Sequence, residues 1–311
     1  MAGFSVGETA TSGFGLIARK PLALLAWALA YAVITYAPMA AGLLWFASDW
    51  QALMQLGRDI EAGGDPTQLL GKLGAFAGAG LLWLIWLLFG YAVLYAAVNR
   101  AVLSPRDSAF GYLRLGGDEL RFVLLFLLYF VLALPFVAIF ALAAGAGAGL
   151  AGLVPEPWTG LARFAAIMLA ILAFIWICVR LSLAAPMTFA EKKVRLFESW
   201  RVTKGRFWKL LGLALLMILI CLAVAIVFGI VFFLVMAVTG AASGALDLEA
   251  MAKLGETAAP ETVAGLMAPM FIAMALLDIV SNALFLAITV APWAVAYREL
   301  SGGGRAENPE I

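Results

Sequence analysis

Three polar side chains interrupt the last long apolar run at a spacing that places them together. Asp278, Ser281 and Asn282 are three and four residues apart, and residues at that separation share one face of a helix. An ionisable side chain inside an apolar span is costly in lipid, so Asp278 is a candidate for binding an ion or a solute. The alternative is that the polar face forms a hydrogen-bonded contact between helices. Both interpretations stay open.

A basic segment, residues 188–209, holds the second group of residues that can bind a ligand. Together with Arg121 from an earlier connection, its candidate headgroup ligands are Lys192, Lys193, Arg201, Lys204, Arg206 and Lys209. Apolar side chains recur along the segment at helical spacing. Such a helix lies in the headgroup plane of a membrane, with its cations on anionic lipid. Alternatively, the cations only follow the topology rule and the apolar stripe packs on the chain's own spans.

Few residues of the chain are suited to catalysis. There is no His, and the two cysteines lie inside apolar runs. The commonest general base and zinc ligand is therefore missing, and cysteines in apolar surroundings behave as small hydrophobic residues. Asp118 and Glu119 form an adjacent carboxylate pair, but the nearby Arg114 and Arg121 favour ion pairing or helix capping there. We predict no catalytic residue, no metal site and no cofactor.

The composition of the chain places most of it in a membrane. Of the 311 residues, 65% are hydrophobic and 13% are charged, against about half and about a quarter in a soluble domain. A helix that crosses a bilayer needs about 20 apolar residues, and its backbone must be hydrogen-bonded internally. Six runs meet this length, at residues 21–47, 73–98, 122–148, 161–183, 210–236 and 269–297. We predict an all-α, polytopic membrane bundle of six transmembrane helices.

The cations are divided unevenly between the connections of these spans. Sixteen of the 20 Lys and Arg residues lie in the N-terminal segment, in the connections after spans two and four, and in the C-terminal tail. Cytoplasmic connections carry the excess of Lys and Arg, so we expect both termini in the cytoplasm of a bacterium, with the chain in the inner membrane. The net charge of +1 provides no overall field for nucleic acid, which we exclude as a partner.

Three loose capping boxes precede pairs of spans. They are SVGE at residues 5–8, SPRD at 104–107 and TFAE at 188–191. A Ser or Thr followed three residues later by an acidic residue is typical of a helix start. We predict three cytoplasmic, interfacial amphipathic helices, each followed by a transmembrane hairpin, within one domain of residues 1–300 and before a disordered tail of residues 301–311. The pseudo-repeats are residues 5–99, 104–183 and 188–300.

Glycines and prolines within the spans predict local features of helix packing. Gly74 and Gly78 are four residues apart, a spacing that permits close approach of a second helix from the same or another subunit. A homo-oligomer or a membrane-protein partner therefore stays open. Pro38, Pro135 and Pro292 are expected to kink spans one, three and six.

Short stretches near the ends of the spans carry a family resemblance. They are residues 99–105 (NRAVLSP), 112–121 (YLRLGGDELR), 180–186 (RLSLAAP), 198–208 (ESWRVTKGRFW) and 292–300 (PWAVAYREL). The chain resembles bacterial six-span proteins related to the membrane domain of glycerophosphoryl diester phosphodiesterases. The resemblance implies a membrane module that associates with lipid. It carries over no catalytic residue, because the phosphodiesterase chemistry requires a soluble barrel with His and metal-binding carboxylates, and this sequence contains no His.

These observations favour one function and leave one alternative. The favoured function is a non-catalytic, lipid-associated organiser or scaffold in the inner membrane, with anionic headgroups on the cytoplasmic face as ligands. The alternative is a small-solute transporter or channel that uses the polar patch of Asp278, Ser281 and Asn282. An intramembrane enzyme has the least support, because no acid–base set is recognisable in the spans.

Overall fold

The part of the chain that the computed structural model describes is helical throughout, apart from turns and short connections. It comprises residues 4–61, 67–150, 158–243 and 260–302, and no β-strand occurs in these ranges. Six of the described helices are long and apolar enough to cross a membrane. The predictions of an all-α fold and of six helices that are long and apolar enough to cross a membrane are confirmed for the described residues. The predicted tail lies, except for its first two residues, outside the described ranges.

Within the described ranges, each predicted span corresponds to one long α-helix, and three shorter α-helices lie between or before them. The short helices are α1 (Val6–Arg19), α6 (Ala184–Glu191) and α7 (Ser199–Val202). The long helices are α2 (Pro21–Glu61), α3 (Thr67–Leu103), α4 (Gly117–Leu150), α5 (Trp158–Leu181), α8 (Phe207–Ser243) and α9 (Pro260–Leu300). At 1.5 Å per residue, α2 rises about 60 Å, which is about twice the thickness of a bilayer's hydrocarbon core. Such a helix therefore exceeds the length needed for a single crossing.

The helices form two units. The first unit contains Met1–Gly15, Tyr91–Leu216 and Val290–Ile311, and the second contains Leu16–Gly90 and Met217–Thr289. The boundaries fall inside α1, α3, α8 and α9. Helices α4 to α7 belong wholly to the first unit, and α2 belongs wholly to the second.

The first unit has a hydrophobic core where α3, α4, the end of α5 and α6 meet. Its buried members are Ala92, Ala96, Phe122, Leu125, Leu181, Ala184, Phe189 and Leu196. The Phe126 ring extends this core and lies edge-on to Tyr95, with 5.2 Å between the ring centroids. Tyr129 donates a hydrogen bond of 3.1 Å to the carbonyl of Leu181. These contacts fix the end of α5 and the short α6 against α4.

The second unit joins α2 to α3 through a hydrogen bond to the backbone. Pro38 has no N–H, so the carbonyl of Ile34, one turn earlier in α2, lacks its usual helical donor. The indole Nε1 of Trp86 in α3 donates to that carbonyl at 2.9 Å. Lipid offers no substitute donor. The Trp86 side chain of α3 therefore satisfies a backbone carbonyl of α2 that would otherwise lack a hydrogen bond.

A glycine permits this contact, although it is not one of the predicted pair. A Cβ atom at Gly90 would lie 2.5 Å from Ile34 Cγ2, which is too close for any other residue unless the Ile34 side chain or the helices shift. At Gly74 and Gly78 a Cβ would meet no atom within 4 Å. The spacing of Gly74 and Gly78 predicted a close approach of another helix. In the structure this close approach occurs further along α3, at Gly90.

Of the three predicted interfacial helices, only the first is one continuous helix. It is α1, which begins directly after Ser5 and has 14 residues. Its buried positions are Thr9, Ala10, Gly13 and Leu16, which recur at helical spacing. The capping box at residues 5–8 therefore lies at a helix start, as the sequence predicted.

The capping box at residues 104–107 does not start an α-helix, which corrects the second prediction. All residues from 104 to 116 are described, and α-helix resumes only at Gly117. Phe110, Gly111 and Tyr112 have positive φ angles, which a right-handed helix excludes. Tyr112 is held in this turn because its carbonyl accepts from Arg100 and its hydroxyl donates to the Pro105 carbonyl. Tertiary hydrogen bonds thus replace the helical ones.

The capping box at residues 188–191 lies at a helix end, which corrects the third prediction. Helix α6 ends at Glu191, and Lys192 follows with a φ angle of 54° in the left-handed conformation. The Thr188 hydroxyl accepts a 3.1 Å hydrogen bond from the backbone N–H of Arg195. Its oxygen therefore binds the chain that returns after α6, and the next helix, α7, has only four residues.

Candidate functional site

The three polar residues of α9 come together as predicted, and two tyrosines of α2 join them. Asp278 Oδ1 accepts from Asn282 Nδ2 at 2.8 Å, and the Asp278 carbonyl accepts from Ser281 Oγ at 3.0 Å. Asp278 Oδ2 accepts from the hydroxyls of Tyr31 at 3.1 Å and Tyr36 at 3.0 Å. The carboxylate therefore ties α2 to α9.

This hydrogen-bonding pattern favours the interpretation of the patch as a contact between helices. A carboxylate offers about four acceptor positions, and three side-chain donors occupy positions on Asp278. The tyrosines lie 247 and 242 residues away in the chain, so no local spacing pairs them with Asp278. The only sequence feature that could have suggested this pairing is that both tyrosines are polar residues within span one. A role in ion or solute binding stays a prediction.

The structure separates the seven predicted headgroup ligands into different environments. Arg206 is partly buried and donates to the Val202 carbonyl at 3.5 Å. Two of the others, Arg121 and Lys192, line a polar cleft. The remaining four have exposed side chains: Lys193, Arg201, Lys204 and Lys209.

Exposed aromatic side chains accompany the exposed cations between residues 197 and 209. Phe197 is 65% exposed, and Trp208, in the first turn of α8, is 80% exposed. Arg201 and Lys204 lie between them in sequence, and Lys209 follows. Large rings beside cations are typical of surfaces at the boundary of a membrane. We call residues 197–209 the aromatic-basic segment.

Arg195 lies between Lys192 and the aromatic-basic segment in sequence. It forms ion pairs with a carboxylate on either side of it in the chain. Its Nε lies 2.9 Å from Glu191 Oε2, and its Nη1 lies 2.8 Å from Glu198 Oε1. The hydrogen bond from Arg195 lowers the pKa of Glu198, and the same hydrogen bond raises the pKa of Arg195. Arg195 was not a predicted ligand, and these local ion pairs account for its side chain.

The polar cleft is built around a buried ion pair. Arg100, in the last turn of α3, is 4% exposed, and Glu119, in the first turn of α4, is 1% exposed. Arg100 Nη2 lies 2.8 Å from Glu119 Oε1, while Nη1 donates to the Tyr112 carbonyl. The Phe189 ring lies over the guanidinium, 5.5 Å from its carbon. Because a buried charge is costly unless it is paired, the two residues depend on each other.

A second carboxylate, Asp118, is shared by three cations. Its oxygens lie 2.7 Å from Arg121 Nη1, 2.8 Å from Lys192 Nζ and 3.4 Å from Arg100 Nη2. The sequence predicted ion pairing for Asp118 and Glu119, and this is confirmed. Arg100 and Lys192 were not foreseen as partners, since they lie on α3 and directly after α6. Arg114, which was expected to pair here, instead lies 3.4 Å from Asp107.

The cleft beside these ion pairs has a volume of about 300 Å³. Four cations contribute to its lining, namely Arg100, Arg114, Arg121 and Lys192. Three carboxylates do so as well, namely Asp107, Asp118 and Glu119. The charged lining therefore has one surplus positive charge. Gly116 and Gly117 also line the cleft, and a Cβ at Gly117 would lie 3.4 Å from Arg121 Nη2, so the absence of side chains there leaves room beside Arg121.

Arg180, near the end of α5, was not singled out by the sequence and is held by aromatic rings. Its guanidinium carbon lies 5.7 Å from the ring centroid of Trp176 and 5.9 Å from that of Trp200. Ser199 Oγ and Thr203 Oγ1 donate to its carbonyl at 2.8 Å and 3.4 Å. Cation–π contacts and hydroxyl donors thus fix the aromatic-basic segment against the end of α5.

The chain matches no family model, no curated protein and no solved structure. The resemblance to the membrane domain of glycerophosphoryl diester phosphodiesterases therefore stays a prediction.

Proposed function

We propose that this chain is a non-catalytic integral membrane protein that binds phospholipid headgroups on its basic side and thereby organises lipid or scaffolds a membrane partner. The observation that carries the proposal is the aromatic-basic segment, in which the exposed rings of Phe197 and Trp208 accompany exposed cations. Tryptophan at the start of an apolar helix is suited to the headgroup boundary. Cations at that depth interact with anionic lipid by about 1 kcal/mol each.

The orientation and the internal repeat belong to the same proposal. The excess of Lys and Arg in the connections after spans two and four supports a cytoplasmic basic side and, with it, cytoplasmic termini. The bacterial inner membrane is the location that we propose for the chain. Three pseudo-repeats, each a basic segment followed by a hairpin of spans, are supported by the order of elements, although only the first segment contains one continuous helix.

A lipid-retention experiment tests the proposal. The variant carrying Arg201→Gln, Lys204→Gln and Lys209→Gln removes three cations of the aromatic-basic segment. At about 1 kcal/mol for each cation, its affinity for phosphatidylglycerol is expected to fall by about a hundredfold. The measurement is the amount of phosphatidylglycerol that the purified full chain retains in mild detergent, determined by mass spectrometry.

A matched control removes three cations near helix ends on the side that is predicted to be non-cytoplasmic. It carries Arg58→Gln, Lys72→Gln and Arg163→Gln, so the change in net charge is identical. The control is expected to retain lipid as the original chain does. Equal retention by both triple variants would show that the aromatic-basic segment does not bind headgroups, and the proposal would have to be abandoned.

Transport through the polar patch is the alternative hypothesis. A carboxylate within a span supports it, whereas the hydrogen bonds from Tyr31, Tyr36 and Asn282 support a structural contact. Flux of a solute into liposomes, abolished by Asp278→Ala but not by Ser281→Ala, is the result that would favour transport over the lipid-binding function.

A further inference from the structure

The carboxylates of the cleft between α3, α4 and α6 are already engaged by cations. Glu119 is paired with the buried Arg100, and Asp118 is shared by three cations. Asp107 is paired with Arg114. A cationic ligand would have to displace these partners, whereas the surplus positive charge of the lining is complemented by an anion of one negative charge.

Donors for such an anion are present on half-exposed side chains. A guanidinium carries five N–H donors and an ammonium carries three. Arg121 and Lys192 each use one contact on Asp118 and remain partly exposed, as does Arg114. The side chain of Lys192 is further oriented by the Phe189 ring, whose centroid lies 4.1 Å from Nζ. Hydrogen bonds between these cations and a phosphate oxygen are of the strong, charge-assisted kind.

The connection that borders the cleft exposes two apolar side chains. Leu115, which lines the cleft, is 76% exposed, and Phe110 is 88% exposed. Phe110 lies on the turn with positive φ angles, a backbone conformation that non-glycine residues rarely adopt. Large apolar side chains displayed beside a polar cleft are favourable next to acyl chains and unfavourable in water. This arrangement suits a ligand that lies at a lipid surface.

We infer that the cleft binds the phosphodiester of one phospholipid molecule, with Arg121 and Lys192 as the principal ligands of the phosphate oxygens and Arg114 at the rim. A phosphodiester carries the single negative charge that the lining lacks. The volume of about 300 Å³ is at the lower end of small-molecule sites and accommodates a phosphate with part of its headgroup. The inference rests on the proposed lipid-binding function and adds to it a specific site, separate from the aromatic-basic segment.

Native mass spectrometry of the purified full chain tests the cleft directly. The probes are phosphatidylglycerol, its soluble headgroup glycerophosphoglycerol, and inorganic phosphate. The variants Arg121→Gln and Lys192→Gln are each expected to weaken the binding of one phosphatidylglycerol molecule by at least about tenfold. The control Arg19→Gln makes the same change of charge at an exposed residue of α1 outside the lining, and it is expected to bind as the original chain does.

Two further variants separate a binding role from an effect on folding and from the proposed function. Arg121→Lys keeps the charge but loses the forked geometry, so an intermediate loss is expected with unchanged thermal unfolding. In the chain with Arg201→Gln, Lys204→Gln and Lys209→Gln, one lipid is expected to remain bound until Lys192→Gln is added. That result supports the cleft whether or not the aromatic-basic segment retains lipid.

Other outcomes overturn the inference. If Lys192→Gln and Arg19→Gln bind phosphatidylglycerol equally, the cleft is not a lipid site, even where the aromatic-basic segment passes its own test. If inorganic phosphate displaces the lipid as effectively as glycerophosphoglycerol does, the site takes free phosphate and not a phospholipid. Loss of binding accompanied by unfolding of both Arg121→Gln and Arg121→Lys would assign these residues a structural role only.

Discussion

At the scale of single residues, the fold is governed by polar groups that cannot reach water. The Ile34 carbonyl loses its helical donor to Pro38 and gains the indole of Trp86. Arg100 and Glu119 are buried together and neutralise each other. In both cases the partner comes from a different helix, so a polar requirement in one element is met by packing against another.

The hydrogen bond from Trp86 is expected to contribute to stability only while Pro38 is present. Trp86→Phe leaves the Ile34 carbonyl without a donor and is expected to destabilise the protein by about 1–3 kcal/mol. Pro38→Ala restores an N–H to α2, and in that background the cost of Trp86→Phe is expected to fall. Thermal unfolding in detergent measures the cost of Trp86→Phe with Pro38 present and with Pro38→Ala. Trp83→Phe, at a similarly exposed indole of the same helix, is the control, and equal costs in both backgrounds would contradict the assignment.

The buried ion pair at the base of the cleft is expected to be the most sensitive polar contact. Glu119→Gln removes the nearer counterion of the buried Arg100 and leaves it only the 3.4 Å contact with Asp118, which is expected to cost up to about 3–5 kcal/mol. Asp107→Asn removes a carboxylate from an exposed pair with Arg114, where about 0–1 kcal/mol is expected. Unfolding temperatures of the two variants provide the comparison. Equal temperatures would show that the burial of Glu119 does not make its charge essential.

At the scale of elements, the ends and contacts of helices depend on neighbours more than on local signals. The Thr188 hydroxyl binds the N–H of Arg195, and the carbonyl of Arg180 in α5 accepts from the hydroxyl of Ser199 in α7. Both hydroxyls could satisfy backbone groups of their own helices. Because the Thr188 hydroxyl binds the segment that follows α6, the capping pattern at residues 188–191 lies at the end of α6 and does not begin a helix.

The contact between α2 and α3 gives a prediction at this scale. Gly90→Ala places a methyl group against Ile34 and is expected to cost about 1–3 kcal/mol through overpacking. Gly78→Ala, on the same helix but with open space around it, is expected to be neutral or slightly stabilising, because alanine favours helix. Thermal unfolding of both variants tests this. A destabilised Gly78→Ala beside an unaffected Gly90→Ala would place the close approach elsewhere.

At the scale of the whole molecule, the distribution of charge determines the expected orientation. The connections after spans two and four carry most of the cations, and connections rich in Lys and Arg are expected on the cytoplasmic side. In a chain whose native cysteines, Cys178 and Cys221, are replaced by alanine, Lys204→Cys is expected to react with an impermeant maleimide only from the cytoplasmic face. Arg58→Cys is expected to react only from the opposite face. Labelling in the reverse sense would invert the topology and move the cleft to the outer surface.

Six spans and an all-α fold follow from the sequence alone, because the length and apolarity of a helix that crosses lipid are properties of one continuous stretch. The same is true of the polar face of Asp278, Ser281 and Asn282, whose spacing is set by the geometry of a single helix. The start of α1 after Ser5 was also readable, because there the capping pattern stands at the beginning of an amphipathic run.

Only the tertiary structure decided which polar groups meet. Tyr31 and Tyr36 reach Asp278 across more than 240 residues, and Lys192 reaches Asp118 across 74. Such pairs depend on how helices pack, and no local period encodes that. The connection before α4 was predicted as a helix because its sequence permits one, but hydrogen bonds from Arg100 and to Pro105 favour a turn. In lipid a helix supplies its own backbone partners, so composition is sufficient for the spans, while side chains acquire theirs only when the helices come together.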